Sequence, residues 1–434
     1  MKDKIIQTLR DLRAYAVNKG IEAAIFYQEE DSNLMRFANS AISLNTNERL
    51  VRLEIIAYED KRRASYELIT SLSKLDEMKQ GVDIAAEMVK HAQPLLYQPS
   101  VPDYAETFVD ESGWDAALAN LSSEERLAYF NEVSKGFETD EIKLSGIFSS
   151  GTNVIALINT HSDNVLYFKS SDAQITVVLS HLKLKWEVQA EQSAQKKTDL
   201  DAGRLHDELA FLLDHYQHDT PQQIPLGSYD IVFGAAAVAE ILTMMNWIGF
   251  NGGAMKRGFA FIAEDQIGKK VFSEKFTLKD DANRLETFPF KRDFMGIKRG
   301  VFPIVKKGEF QAFTWFQDDA DEFGAEPSGH NVMHQSLVVD GGDVEVNTLE
   351  ELVAMPRDKD ILYIPFIHYM NIVNPSKGLL TGTSRFGALL LKADGSVAVP
   401  YNVRVTQSML DIFGDKVAWM SKSQTVYNTS QSYG

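Results

Sequence analysis

Cysteine is absent from all 434 residues. That excludes disulfides, thiolate nucleophiles, Cys-ligated zinc and iron–sulfur clusters. Long apolar runs are missing as well: nothing approaches the roughly 18 uninterrupted apolar residues of a spanning helix. The N-terminus, MKDKIIQTLRDLRAYAVNKG, interleaves charges with apolar residues where a secretory signal needs an unbroken apolar core. The sequence therefore predicts a cytoplasmic protein with no membrane partner. Positive charge is scarce too, with 44 Lys and Arg against 61 Asp and Glu, a net charge of −17 and a pI near 5.0. Even the densest basic stretch, KLKWEVQAEQSAQKK, is mixed. A duplex-DNA binder needs Lys and Arg to neutralise phosphates, so no nucleic-acid partner is expected, and the acidic surface reads as a solvated one.

Two families of catalytic motif are also missing. There is no G-x-S-x-G elbow and no Walker-type phosphate loop. Asn251-Gly252-Gly253 is followed by Ala254, with no Lys-Ser/Thr pair at the required offset, and reads as a turn after a helix.

What is present suits a soluble globular chain. With 44% apolar and 24% charged residues it can bury a sizeable core without staples, and its length favours two or three domains. Ile5, Leu9, Leu12 and Ala16 recur at helical spacing. Strand-like runs follow at Ile21–Gln28, Leu34–Asn45 and Arg49–Tyr58, then a helix over Ser73–His91 with Met78, Val82, Ala85 and Met88 on one face. Gln98–Gly113, with Pro99 and Pro102, reads as a linker. Ser122 followed by Glu125 marks a capping box for a helix to Phe137. Lys143–Ala190 reads as an antiparallel meander with short breaks, and Asp201–His215 as a helix. The two prolines of DTPQQIPLGSYD place a boundary near residue 222. The strand YDIVFG and a helix over Ala235–Trp247 open a strand-rich remainder. Ala393-Asp394-Gly395-Ser396 is a hairpin turn signal, and Thr425–Gly434 is a polar tail. Helix, strands, helix without βαβ alternation argues an α+β fold: an N-terminal mixed domain with antiparallel strands (1–97), a central helix-plus-strand region (98–222) and a strand-rich C-terminal domain (223–434).

The most informative stretch is Tyr363–Gly387, YIPFIHYMNIVNPSKGLLTGTSRFG: a strand, an Asn-Pro turn and a second strand entered through TGTSRFG. It resembles a signature segment of the TldD/PmbA family, the "modulators of DNA gyrase" that look like metallopeptidase subunits. IVFGAAAVAEIL resembles the family's strand-to-helix step. EKFTLKDDANR, Glu326-Pro327-Ser328-Gly329-His330 and GLLTGTSRFGALLLKADGSVAVPYNVRVTQSMLDIF resemble further segments of its C-terminal domain. The resemblance implies a proteolytic hetero-complex acting on small or unfolded peptides. In it, a zinc-bearing subunit with an HExxxH motif pairs with a PmbA/TldE-type subunit that lacks the motif.

In this sequence the motif positions hold Met245-Asn246-Trp247-Ile248-Gly249-Phe250. Met245 and Phe250 stand where the two His ligands would be, and Asn246 where the water-activating Glu would be; the glycine persists as Gly249. Methionine is a poor zinc ligand, Phe is none, and Asn cannot take a proton from water at neutral pH. No histidine lies between His218 and His330, and the Cys ligand of metal-bearing members is impossible here. On a regular helix, residues five apart sit about 140° apart, so a helix carrying the motif must widen or end at its second His.

The expected chain is thus a non-catalytic subunit that binds no metal, with zinc in a TldD-like HExxxH-bearing partner and a peptide as the shared substrate. Strand edges of the C-terminal domain could hold that peptide. Candidate contacts are Gly382, Thr383, Arg385, Gly387 and His330. The segment around Arg385 can offer backbone N–H groups and a guanidinium to a peptide; it can equally be a tight turn between core strands with Arg385 paired to an acid. His330/His334 and His215/His218 read as structural or solvated histidines rather than metal pairs, and Asp280-Asp281 and Asp318-Asp319 as solvated turn acids. A peptidase using other residues, or a stand-alone peptide-binding homo-oligomer, are the alternatives.

Overall fold

The computed structural model describes residues 1–218, 220–330 and 335–429, with His218 as backbone only. Helix α1 (Lys2–Asn18) buries Ile5, Leu9, Leu12 and Ala16 as their spacing predicts. Behind it run β1 (Glu22–Ala38), β2 (Ala41–Glu59) and β3 (Arg62–Ile69), then α2 (Leu75–His91). The three strand-like runs are therefore two long strands. Asp31, Ser32 and Asn33, polar enough to read as a break, lie mid-strand and pair with β2, where Glu29 meets Arg49 at 2.6 Å. The turn instead falls at Asn39-Ser40, both at positive φ, as two-residue hairpins require. On α2, Val89 rather than Met88 completes the buried face, and Met88 is 42% exposed.

The stretch read as a linker ends in β4 (Phe108–Gly113), followed by α3 (Ala116–Ala119), α4 (Ser123–Ser134), β5 (Ile142–Asn159), β6 (Leu166–His181), β7 (Glu187–Ala194) and α5 (Ala202–His218). The capping box of α4 is formed: Ser122 accepts from the Glu125 N–H and Glu125 from the Ser122 N–H. β5, β6 and β7 make the expected antiparallel meander. One sheet, ordered β3-β2-β1-β5-β6-β4 with β7 also on β6, gathers all seven strands. β1 pairs with β5 from Ala24↔Asn159 to Phe37↔Gly146, so the division at residue 97 falls inside a single sheet. Alternation along β1 sends Ile25 and Tyr27 into a core with α1 and α2, and Phe26 to the opposite face, among Phe168, Phe290 and Phe294.

After residue 222 the strands are shorter and form three separate sheets. β8 (Asp230–Phe233) leads into α6 (Ala235–Ile248), and α7 (Gly252–Lys256) is capped by Asn251 in place of the turn read there. β9 (Leu278–Asp281), β10 (Val301–Lys306), β11 (Glu309–Phe310), α8 (Gln317–Phe323) and β12 (Leu337–Val339) follow; then α9 (Leu349–Ala354), β13 (Ile361–Ile364), β14 (Phe366–Asn374), β15 (Leu379–Arg385), β16 (Leu389–Leu391), β17 (Val397–Ala398), β18 (Arg404–Ser408) and α10 (Met409–Ile412). The sheets run β11-β10-β9-β12, β17-β16-β13-β8 and β14-β15-β18. Among the described residues, β4–β6 and β8–β13 are the strand pairs that run in parallel. The fold is α+β.

The Asn-Pro turn joins β14 to β15, with Asn374 accepting from the Lys377 N–H. The Ala393–Ser396 signal is a hairpin between β16 and β17. Among the described residues no helix is long and apolar enough to cross a membrane.

Candidate functional site

Helix α6 is almost wholly apolar, and Ala237, Ile241, Leu242 and Met245 enter the C-terminal core. It ends where the residue spacing requires: the Gly249 N–H donates to the Met245 carbonyl at 2.6 Å and the Phe250 N–H to the same oxygen at 3.2 Å, a widened last turn. A Cβ at Gly249 would come within 2.6 Å of that carbonyl and of the Phe261 ring, so close packing alone demands glycine there. Met245 and Phe250 are both fully buried, and Phe250 lies among Phe272 and Phe310. Asn246 alone of the three turns to the cleft, where its Oδ1 accepts from Gln335 Nε2 at 2.6 Å and its amide donates back. These residues do not fit a zinc ion. Among the described residues, no three His, Cys, Asp or Glu converge as a metal site.

Beside Asn246 opens a cleft of about 1770 Å³. One wall is the face of the seven-stranded sheet, carrying Asn153, Ser170 and Glu191. α5 supplies Arg204 and Glu208, and α6 and segment 335–341 close the other side. Carboxylates outnumber cations among its described lining residues, the cations being Arg204, Arg284 and Lys416. Burial pushes the Glu191 carboxyl up to about 7, with the charges of Glu208 and Glu240 adding to the effect and hydrogen bonds from Gln189 and Tyr427 opposing it. Burial also raises Glu208, against the pull of Arg204, and it raises Glu240. The cleft favours neutral or cationic groups at this end.

Of the pairs read as solvated turn acids, the first is buried and both are held by partners. Asp280 and Asp281 lie in β9 and are buried, Asp280 completely. Asp280 accepts from Arg299 at 2.9 and 3.1 Å, from His330 Nδ1 at 2.9 Å and from the Ser336 N–H at 2.8 Å. Burial works to raise its carboxyl; His330, Arg299 and Ser336 together hold it below the usual carboxylate range. Asp318 and Asp319 open α8 and bind Arg63 and Arg257.

The other residues singled out from sequence are dispersed. His330, in a loop as expected, stacks on Phe302 and serves Asp280; it does not line the cleft. Gly382, Thr383 and Arg385 belong to β15, not to a loop. Gly382 packs against Ile367, Thr383 pairs with His368, and Gly387 follows at φ +115° beside Leu212. Arg385 binds Glu187 of β7 at 2.6 Å and covers the Phe386 ring, which is the acid pairing left open by the sequence. None of these four lines the cleft. His334 lies outside the described residues, as does the His218 side chain. Glu191, Glu208, Gln335 and Tyr427 went unnoticed as site residues, because no local pattern marks them; their shared feature is a cleft assembled from three distant segments.

A two-part α+β chain with a cleft between a long N-terminal sheet and a domain of short sheets is the class defined here. Residues 226–433 match the model of the PmbA/TldA metallopeptidase C-terminal domain, so this part of the chain is a domain of the TldD/PmbA family. Solved structures share the fold. TldE from Thermococcus kodakarensis matches with a TM-score of 0.79 at 16% identity, covering 98% of this chain and 96% of that one. A Bacteroides thetaiotaomicron protein named as a candidate modulator of DNA gyrase matches at 0.74 and 16%, covering 94% and 92%. A Thermotoga maritima protein of the same description matches at 0.69 and 15%, covering 95% and 94%. No curated protein matches the chain by sequence.

Proposed function

We propose that the chain is the non-metal-binding, PmbA/TldE-like subunit of a cytoplasmic metallopeptidase complex, and that it holds small or unfolded peptides for a TldD-like, HExxxH-bearing partner. The observation that carries this reading is the fate of the motif positions. Met245 and Phe250 are core residues and Asn246 is held by Gln335, yet Asn246 borders a cleft of about 1770 Å³. A large cleft beside motif positions that hold neither His nor Glu suits binding rather than hydrolysis. The TldE name of the Thermococcus relative points the same way. In this reading zinc and the activated water belong to the partner, the chain takes no cofactor of its own, and its net charge of −17 keeps nucleic acid off.

The test is to co-express the chain with an HExxxH-bearing family member from the same genome, then assay complex formation by size-exclusion chromatography and cleavage of unstructured peptides. The reading expects a stable complex with peptidase activity that neither chain has alone. Failure to associate, or cleavage by the partner unaltered by this chain, overturns it.

A further inference from the structure

Beyond α10 the chain doubles back across both cores: Trp419 packs against the core shared with α4 and α5, and Met420 against the core around α6. From there the backbone runs beside residues 342–346 as an added strand. The Val344 N–H donates to the Met420 carbonyl at 3.2 Å, the Gly342 N–H to the Ser421 carbonyl at 2.7 Å, and the Lys422 N–H to the Val344 carbonyl at 2.8 Å. Val344 and Ser421 form a parallel bridge.

The receiving edge is shaped for this approach. Gly341 and Gly342 have no left-handed backbone to explain them. A Cβ on either would meet the Lys422 carbonyl at 2.5 Å or the Met420 carbonyl at 2.2 Å. Side chains continue the hold: Ser423 Oγ donates to the Val346 carbonyl at 2.7 Å and Gln424 Nε2 to the Val339 carbonyl at 2.5 Å.

Residues 423–429 then line the cleft, and burial together with the charge of Glu191 on the far wall raises the Tyr427 hydroxyl. The charge of this segment fits the walls. No Asp or Glu follows Asp415, while Lys416 and Lys422 are cationic.

We infer that residues 421–429 are a tethered occupant of the cleft, and that the edge 339–346 is a binding site for extended peptides poor in carboxylates, which must displace the tail to enter parallel to that edge. The inference rests on the reading of the cleft as a peptide holder. The backbone contacts are the strand-addition mode of peptide recognition, made here within one chain. A tethered competitor has a high effective concentration, so it lowers the apparent affinity of any free peptide by the fraction of time the tail is docked.

The test uses the full chain and a labelled peptide copying residues 421–429, followed by fluorescence anisotropy. A full-length variant with Gln424→Ala and Tyr427→Ala loosens the tail without touching the edge. It is expected to bind the peptide about tenfold more tightly than the unchanged chain, because the Gln424 hydrogen bond and the Tyr427 side chain in the cleft are both lost. A peptide copy carrying Lys422→Glu and Gln424→Glu should bind either chain more weakly. Carboxypeptidase digestion gives a second readout: excess peptide should expose the tail of the unchanged chain to trimming. If the two chains bind the peptide equally, or neither binds it, and added peptide leaves the tail protected, the tail is a fixed wall and the inference falls. No partner is present in these assays. Peptide binding without complex formation would therefore sink the subunit reading and leave the tail inference standing.

Discussion

Helix α6 and strand β9 feed one core, through Met245 and Leu278, and they treat polar chemistry in opposite ways. On α6, the positions that the family resemblance reserves for metal chemistry hold a thioether and a phenyl ring sealed from solvent. On β9, a position that looked like an ordinary turn acid carries a fully buried carboxylate with four hydrogen bonds. Residue type settles the matter on α6, whereas on β9 it is the partners that keep a buried acid ionic. Asp280 remains charged because Arg299, His330 and Ser336 converge on it. No comparable set surrounds Met245 or Phe250.

The sharpest way to break this contrast is to remove the carboxylate. Asp280→Ala leaves the Arg299 cation buried without its partner, and is expected to cost about 3–5 kcal/mol in urea unfolding. Because the folded-state value of Asp280 lies below its ordinary one, its stabilisation is present above the usual carboxylate range and fades as pH falls through the lowered value. The variant should lose that acid-side dependence.

On α6 the corresponding change is Phe250→Ala. It removes a fully buried ring and should cost about 3 kcal/mol or somewhat more by the same measurement, with no effect on pH dependence. A pH-dependent loss there would mean an ionic role that the core packing does not provide.

Glu191 has the opposite sign to Asp280. Its folded value, about 7, lies above the unfolded one, so its contribution is full below the ordinary carboxylate range and is lost as pH rises through about 7. Glu191→Gln should flatten the decline in stability across that window, read from melting temperatures in a pH series.

Smaller effects come from local features. Ser122→Ala breaks the α4 capping box and should cost about 1 kcal/mol. Arg63→Ala removes the bidentate pair to Asp318 that ties β3 to α8. Both partners are about a third or more exposed, so the loss should be at most about 1 kcal/mol. Denaturant midpoints resolve both.

What the sequence made legible was local. The α1 stripe, the Ser122–Glu125 box, the β5–β7 meander, the Asn374 turn and the glycine at the end of α6 all follow from residues within a few positions of one another. What stayed hidden depended on distance along the chain. Asp31–Asn33 read as a break because their pairing partners on β2 and β5 were invisible. Asp280 read as solvated because its partners lie 19, 50 and 56 residues away. The cleft could not be read at all, since Glu191, Asn246 and Tyr427 share no local pattern. The resemblance directed attention to α6, and the structure adds that Met245 and Phe250 are packed into the core.

The most direct measurement is metal stoichiometry by elemental mass spectrometry on the purified chain after dialysis. With Met245 and Phe250 in the core and Asn246 tied to Gln335, the account predicts a value near zero for zinc and other transition metals. A value near one per chain that survives dialysis would contradict it, and would place a metal-ligand set in this chain.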